Sequence, residues 1–142
     1  LYIFESPIDL LSYFSLYKMK HQRLPSINAL SLSGVYIPGQ RKLPAAIERH
    51  LPKTPNLKNI IVCFDNDSTC QRAADRLARE LHDRYNVAIL LPESFKDYNE
   101  VLMSELGLAH KIATRASGRK TYAARRYLNT DITKTSMMEK DG

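Results

Sequence analysis

The chain has 142 residues, a formal net charge of +6, an apolar fraction of 44% and a charged fraction of 25%. This size and balance suit one soluble globular domain with a real core, and they argue against wholesale disorder. Cys63 and Cys70 make neither a disulfide framework nor a zinc-binding pattern, and no apolar run approaches the roughly 20 residues that span a bilayer.

The charge is unevenly placed. Up to Leu108 thirteen Lys and Arg face twelve Asp and Glu, whereas from Ala109 onward eight face three. The body, 1–108, therefore reads as the folded domain. The stretch 109–142 reads as a basic, partly disordered C-terminal tail. Such a tail suits a polyanion such as DNA or RNA, with a merely solvated terminus as the plainer alternative. Within it Arg115, Arg119, Lys120, Arg125 and Arg126 are the candidate nucleic-acid contacts. The chain opens at Leu1, directly in a strand-like stretch, with no charged-then-apolar leader. It is expected to be a fragment of a larger cytoplasmic protein.

Tyr2-Ile3-Phe4 is a short β-prone run, and Ser6-Pro7 then opens a helix to about Lys20. Ile8, Leu11, Phe14 and Met19 recur at helical spacing. Ala29–Ser33 alternates and predicts a second strand, Pro38-Gly39 a turn, and Pro44 the start of a short helix to His50. Ile60–Phe64 is continuously apolar, as a strand buried on both faces should be. A helix over about Cys70–Tyr85 carries Ala74, Leu77, Ala78, Leu81 and Tyr85 on one side. Val87–Leu91 predicts a fourth strand, stopped by Pro92, and Tyr98–Leu108 a last helix. One amphipathic stretch, about Thr121–Leu128, interrupts the polar tail. The alternation of strands and helices predicts an α/β fold, a mainly parallel four-stranded sheet with helices on both faces.

Three acidic features follow strands, where an open parallel sheet places its chemistry. Glu5 ends the first strand, Asp65 and Asp67 follow the third, and Lys96-Asp97-Tyr98-Asn99-Glu100 follows the fourth. Spaced two apart, the aspartates can point the same way in an extended segment. Carboxylates that close repel unless a cation bridges them, and hard oxygen ligands suit Mg²⁺, with Mn²⁺ as an alternative. Read locally, Asp-Asn-Asp-Ser is also a good turn and helix-cap sequence.

With Glu5 in Phe4-Glu5-Ser6-Pro7-Ile8-Asp9, and with Asp65-Asn66-Asp67 after a later strand, the chain resembles the Toprim domain, the catalytic module of bacterial-type primases, topoisomerases and related nucleases. Asp9 matches the aspartate that the primase branch adds. Lys96-Asp97-Tyr98-Asn99-Glu100 resembles the motif of primase-like proteins from plasmids and mobile elements. The resemblance spans about Leu1–Leu106 and departs at Cys70, where the family often carries glycine. It implies a Rossmann-like Toprim fold and Mg²⁺-dependent chemistry on nucleic-acid phosphates, most simply primase-like nucleotidyl transfer. Asp65 and Asp67 would hold metal, and Glu5 would act as acid/base or further ligand. Asp97 and Asp9 would support a second metal, and Lys96 would neutralise a phosphate. Implied partners are DNA or RNA, nucleotides and flanking domains of the full-length protein, with no membrane. The alternatives are a non-catalytic Toprim-like domain that binds nucleic acid or a partner, a Toprim nuclease or nickase, and a haloacid-dehalogenase-like phosphatase using Asp65-Asn66-Asp67-Ser68-Thr69.

Overall fold

A computed structural model of the chain describes residues 1–34 and 43–108 and, as backbone, 125–127. The Pro38-Gly39 turn, Arg115, Arg119 and Lys120 lie outside these residues, as does most of the stretch read as a tail. Strand β1 is Tyr2–Phe4, helix α1 Pro7–His21, β2 Ala29–Ser31 and α2 Ala45–His50, which runs into a 3₁₀ turn at Leu51–Lys53. Then come β3 Asn59–Cys63, α3 Ser68–Leu81, β4 Asn86–Ile89, α4 Tyr98–Glu105 and β5 Arg125–Tyr127.

The sheet order is β2-β1-β3-β4-β5. The first four strands run parallel, as the β-α alternation predicts. β5 adds antiparallel to β4 and comes from the amphipathic stretch of the tail. No helix among the described residues is long and apolar enough to cross a membrane.

Alternation along the strands divides the interior into two layers. Ile3, Ile60, Val62, Phe64, Val87 and Ile89 point to one face and pack on Ile47 of α2 and on Ala73, Ala74, Leu77, Ala78 and Leu81 of α3. Phe4 and Cys63 point to the other face, with Tyr2 and Ile61, and meet Leu10, Tyr13 and Leu16 of α1 and Tyr98 of α4. The first layer is mainly aliphatic, and the second gathers Phe4, Tyr2, Tyr13 and Tyr98. The Tyr13 ring lies 5.4 Å from both Phe4 and Tyr98, edge-on to the latter, and the Tyr98 hydroxyl donates to the Leu90 carbonyl at 3.0 Å. Burial pushes the Tyr13 and Tyr98 hydroxyls well above the usual tyrosine range. Both are core residues, and neither is poised as a nucleophile.

Helix α1 forms as the spacing predicts, but Ile8, Leu11 and Met19 do not face the core. Ile8 and Leu11 are 62% exposed and Met19 is 43% exposed, while Asp9 and Ser12 are buried. Both sets of positions are helically periodic, so spacing alone does not choose between them. The choice is made at the start of the helix. Ser6 caps α1, accepting from the Asp9 N–H at 3.1 Å, and its hydroxyl donates to the Asp9 carboxylate. This reciprocal cap turns Asp9 inward. Leu10, Tyr13 and Leu16 then fall on the aromatic layer.

Candidate metal centre at the strand ends

The parallel register sets the site. Phe4 pairs with Cys63, so Glu5 and Asp65 leave their strands at nearly the same level of neighbouring strands. The connection from β1 goes outward to β2, and the chain then crosses back to β3 on the other side. The gap between β1 and β3 is therefore the point where strand order reverses, the crevice that open α/β sheets use for ligands.

Glu5 is fixed through its backbone. Leu32 N–H donates to the Phe4 carbonyl at 2.9 Å, and Gly34 N–H donates to the Glu5 carbonyl at 3.0 Å. Gly34 has φ +146°, a conformation that side chains disfavour, and that turn brings its N–H back to the strand end. The Glu5 side chain reaches a cluster with Asp65 and Cys70, in which one ligand atom from each lies within 4.8 Å of the others. Glu5 Oε2 is shielded from solvent and has no hydrogen-bond partner.

Asp65 sits in a crowd of like charge. Burial, then Glu5, Asp9 and Asp97, push its carboxyl up to about 7, against the opposing pull of Lys96. Lys96 Nζ lies 3.7 Å from Asp65 Oδ2 and 4.0 Å from Asp97 Oδ2. Partial burial works against the Lys96 charge, but Asp65 and Asp97 outweigh it and hold its pKa above the usual lysine range.

Asp67 is differently engaged. The chain bends after Asp65, and Asp67 becomes the cap of α3. Its Oδ1 accepts from the Thr69 and Cys70 N–H groups, both at 2.9 Å, while the Cys70 thiol donates to Oδ2 at 3.5 Å. Burial alone would raise this carboxyl; the Cys70 and Thr69 hydrogen bonds prevail and lower it. Asp97 caps α4 in the same way, accepting from the Glu100 N–H at 2.7 Å, and Glu100 Oε2 accepts from the Lys96 N–H at 2.7 Å. This pair of hydrogen bonds, one from each side of the cap, orients the loop that carries Lys96. Of the predicted site residues, the structure thus brings Glu5 and Asp65 together, with Lys96 and Asp97 beside them. Asp9, Asp67 and Asp97 each use a carboxylate oxygen on a helix start. Arg125 and Arg126 lie on β5.

Two residues of the site go beyond the sequence-based expectation. Asn66 is 3% exposed. Its N–H donates to the Lys96 carbonyl at 2.6 Å, its Nδ2 donates to the Pro92 carbonyl at 3.0 Å, and its Oδ1 accepts from Gln71 Nε2 at 2.8 Å. It clamps the loop after β3 to the loop after β4 and so sets Lys96 against Asp65. Its sequence signal is weak: a polar residue between two acids. The other is Cys70, whose thiol enters the acidic cluster itself.

The donor set fits a divalent cation. Two carboxylates from separate strands converge, one of their oxygens is shielded and unpartnered, and burial together with neighbouring carboxylates raises the Asp65 pKa, a cost that a cation would relieve.

A Toprim-like family model matches residues 2–102. The chain belongs to the Toprim-like family. That membership carries a metal-dependent function connected with nucleic acids, and Glu5, Asp65 and Cys70 form a candidate cluster for a metal ion. No curated protein matches the chain.

Proposed function

We propose that this domain is the catalytic module of a primase-like protein of a plasmid, phage or other mobile element, which transfers nucleotides to a 3′-hydroxyl on DNA or RNA in the cytoplasm. The observation that carries the reading is the convergence of Glu5 and Asp65 at the strand-order switch, with Glu5 Oε2 buried and unpartnered. Mg²⁺, or Mn²⁺ in its place, would be held by Glu5 and Asp65, with Asp67 contributing Oδ2, the oxygen that the α3 backbone leaves open. Bound there, the ion supplies charge stabilisation to a phosphoryl group in displacement.

The chain's own residues do the rest. Lys96, beside Asp65 and Asp97, offers a positive charge to a phosphate at the mouth of the crevice. Asp97 and Asp9 add negative charge around Asp65 and support a second cation position. Glu5 is the candidate to accept the hydroxyl proton, because one carboxylate oxygen is without a donor. The basic residues Arg115, Arg119, Lys120, Arg125 and Arg126 are assigned to sequence-independent phosphate contact. Template and nucleotide delivery falls to flanking domains of the full-length protein.

The test is primer synthesis by the full-length protein with Mg²⁺, compared with its Asp65→Asn variant. Metal-dependent synthesis that the variant loses supports the reading. Metal-dependent nicking without synthesis assigns the domain to the nuclease branch, and unaltered synthesis by Asp65→Asn overturns the site.

A further inference from the structure

Exposed apolar surface is concentrated on one layer of the molecule. All seven large apolar side chains that stand exposed among the described residues belong to α1, α4 or the short segments that follow them. The outward side of α3, on the opposite layer, is charged instead, with Arg72 and Arg79 exposed and Asp75 and Glu80 partly so. Both α1 and α4 follow the carboxyl ends of parallel strands and run back toward the amino edge of the sheet. They pack on each other, with Ser12 Oγ 3.5 Å from Asn99 Oδ1. Met19 and Leu106 lie equally far past that contact in sequence, about 10 Å further along each helix. Leu24 and Leu108 follow them, and Leu24, Leu106 and Leu108 are each more than half exposed.

The same end is electropositive. Between Asp9 and Glu48 the sequence has five Lys and Arg and no Asp or Glu. Three of these cations, Lys18, Lys20 and Arg23, are exposed at the end of α1, and no ion pair engages them among the described residues, not even with Glu105 of α4. A helix C-terminus welcomes cations, but that accounts neither for Arg23, which lies past the helix, nor for the leucines.

We infer that this end of the α1–α4 layer is a docking surface for an acidic amphipathic segment of a partner protein, whose carboxylates meet Lys18, Lys20 and Arg23 and whose apolar side chains cover Met19, Leu24 and Leu106. Charge complementarity selects an anionic partner. The exposed leucines select one that brings apolar side chains, because a nucleic-acid backbone would satisfy the cations and leave the leucines in water. The 15 residues of α1 carry the chain about 22 Å away from the carboxyl edge where Glu5 lies. Docking there is independent of the reaction proposed above.

The test titrates the full chain into a fluorescein-labelled peptide of about 16 residues, with leucines at i, i+3, i+4 and i+7 and glutamates elsewhere, read by fluorescence anisotropy. Saturable binding that weakens with added salt is expected. Lys18→Glu/Lys20→Glu should weaken it about tenfold or more, and Leu24→Ser/Leu106→Ser several-fold, while Asp65→Asn leaves it unchanged. Lys18→Gln/Lys20→Gln, which is gentler on the helix end, should give a smaller loss in the same direction if the charge reversal unfolds α1 by circular dichroism. Single-stranded oligothymidylate and phosphatidylserine vesicles are titrated alongside. Failure of the wild-type chain to saturate the peptide, or binding unaffected by the lysine and leucine variants, overturns the inference. So does a tighter affinity for oligothymidylate or vesicles that the lysine variants abolish. Primer synthesis lost in Asp65→Asn with peptide binding retained would show the two sites to be separate.

Discussion

The acidic residues at the carboxyl edge of the sheet fall into two groups with different hydrogen-bond partners. Asp67 and Asp97 sit at helix starts, each accepting from backbone N–H groups, and Asp9 is bound into the Ser6 cap. Glu5 and Asp65 sit at strand ends, where no helix start serves them. Asp67 is held below the usual carboxylate range, whereas Asp65 is pushed up to about 7. Asp67 therefore stabilises the metal-free fold, and Asp65 costs it stability. Residues of identical chemistry differ because N–H donors serve Asp67, whereas burial and then a crowd of carboxylates act on Asp65. A site that is frustrated when empty is one that a cation relieves.

Several substitutions would break or sharpen that contrast. The largest effect belongs to Asp65→Asn. It should lower metal affinity or turnover roughly 100-fold or more, beyond what an outer-shell change costs, yet stabilise the metal-free chain at pH 8. The pH dependence follows the same sign. Because the folded-state pKa of Asp65 is raised from 3.8 to about 7, the native chain holds a proton that the unfolded chain has released. Metal-free stability should therefore fall as pH rises through that window. Thermal melts from pH 4 to 8 should show that slope in the wild type and a shallower one in Asp65→Asn. Asp67 acts in reverse, since its lowered pKa gives stability that is present above 3.8 and lost on further acidification. Equal slopes in the wild type and Asp65→Asn would remove the distinction between the two groups.

Asn66→Ala comes next. It leaves the Pro92 carbonyl and Gln71 side chain without their partner and should cost about 1–3 kcal/mol in denaturant unfolding. It should also weaken the Lys96–Asp65 approach, visible as a lower lysine pKa by NMR. Asp67→Ala should cost about 1 kcal/mol through loss of the cap. Asp67→Asn keeps the cap and should restore most of that stability without restoring metal affinity, which separates the two duties of this side chain. The smallest effect is expected for Leu11→Ser, on the exposed side of α1, whose unfolding free energy should stay within about 0.5 kcal/mol of wild type. A loss of several kcal/mol there would place Leu11 in the core instead.

Much of this architecture is written locally. The continuous apolar run Ile60–Cys63 with Phe64 can only be a strand covered on both sides, and it is. The stripe Ala74, Leu77, Ala78 and Leu81 is the buried side of α3. The positions of Glu5, Asp65 and Lys96-Asp97 after strands follow from strand order and the parallel rule. Helix α1 was not legible in this way, because the two candidate stripes have the same period and the exposed one is the more uniformly apolar. β5 was not legible either, since its three residues carry too little pattern and its pairing is made across the sheet with β4.

At the site, composition and order by themselves determined which residue types gather at the edge: carboxylates, one lysine, and helix-capping sequences that start α1, α3 and α4. Only the tertiary structure decided which carboxylates are engaged by N–H groups and which face each other. Capping depends on a bend at Asp67 and on the inward turn of Asp9, and the Glu5–Asp65 meeting depends on the register between β1 and β3. The same packing brought Cys70 into the cluster and made Asn66 a clamp between two loops. Local sequence sets what a residue can donate or accept. Which partner it meets is set by contacts made across the fold, far apart in the chain.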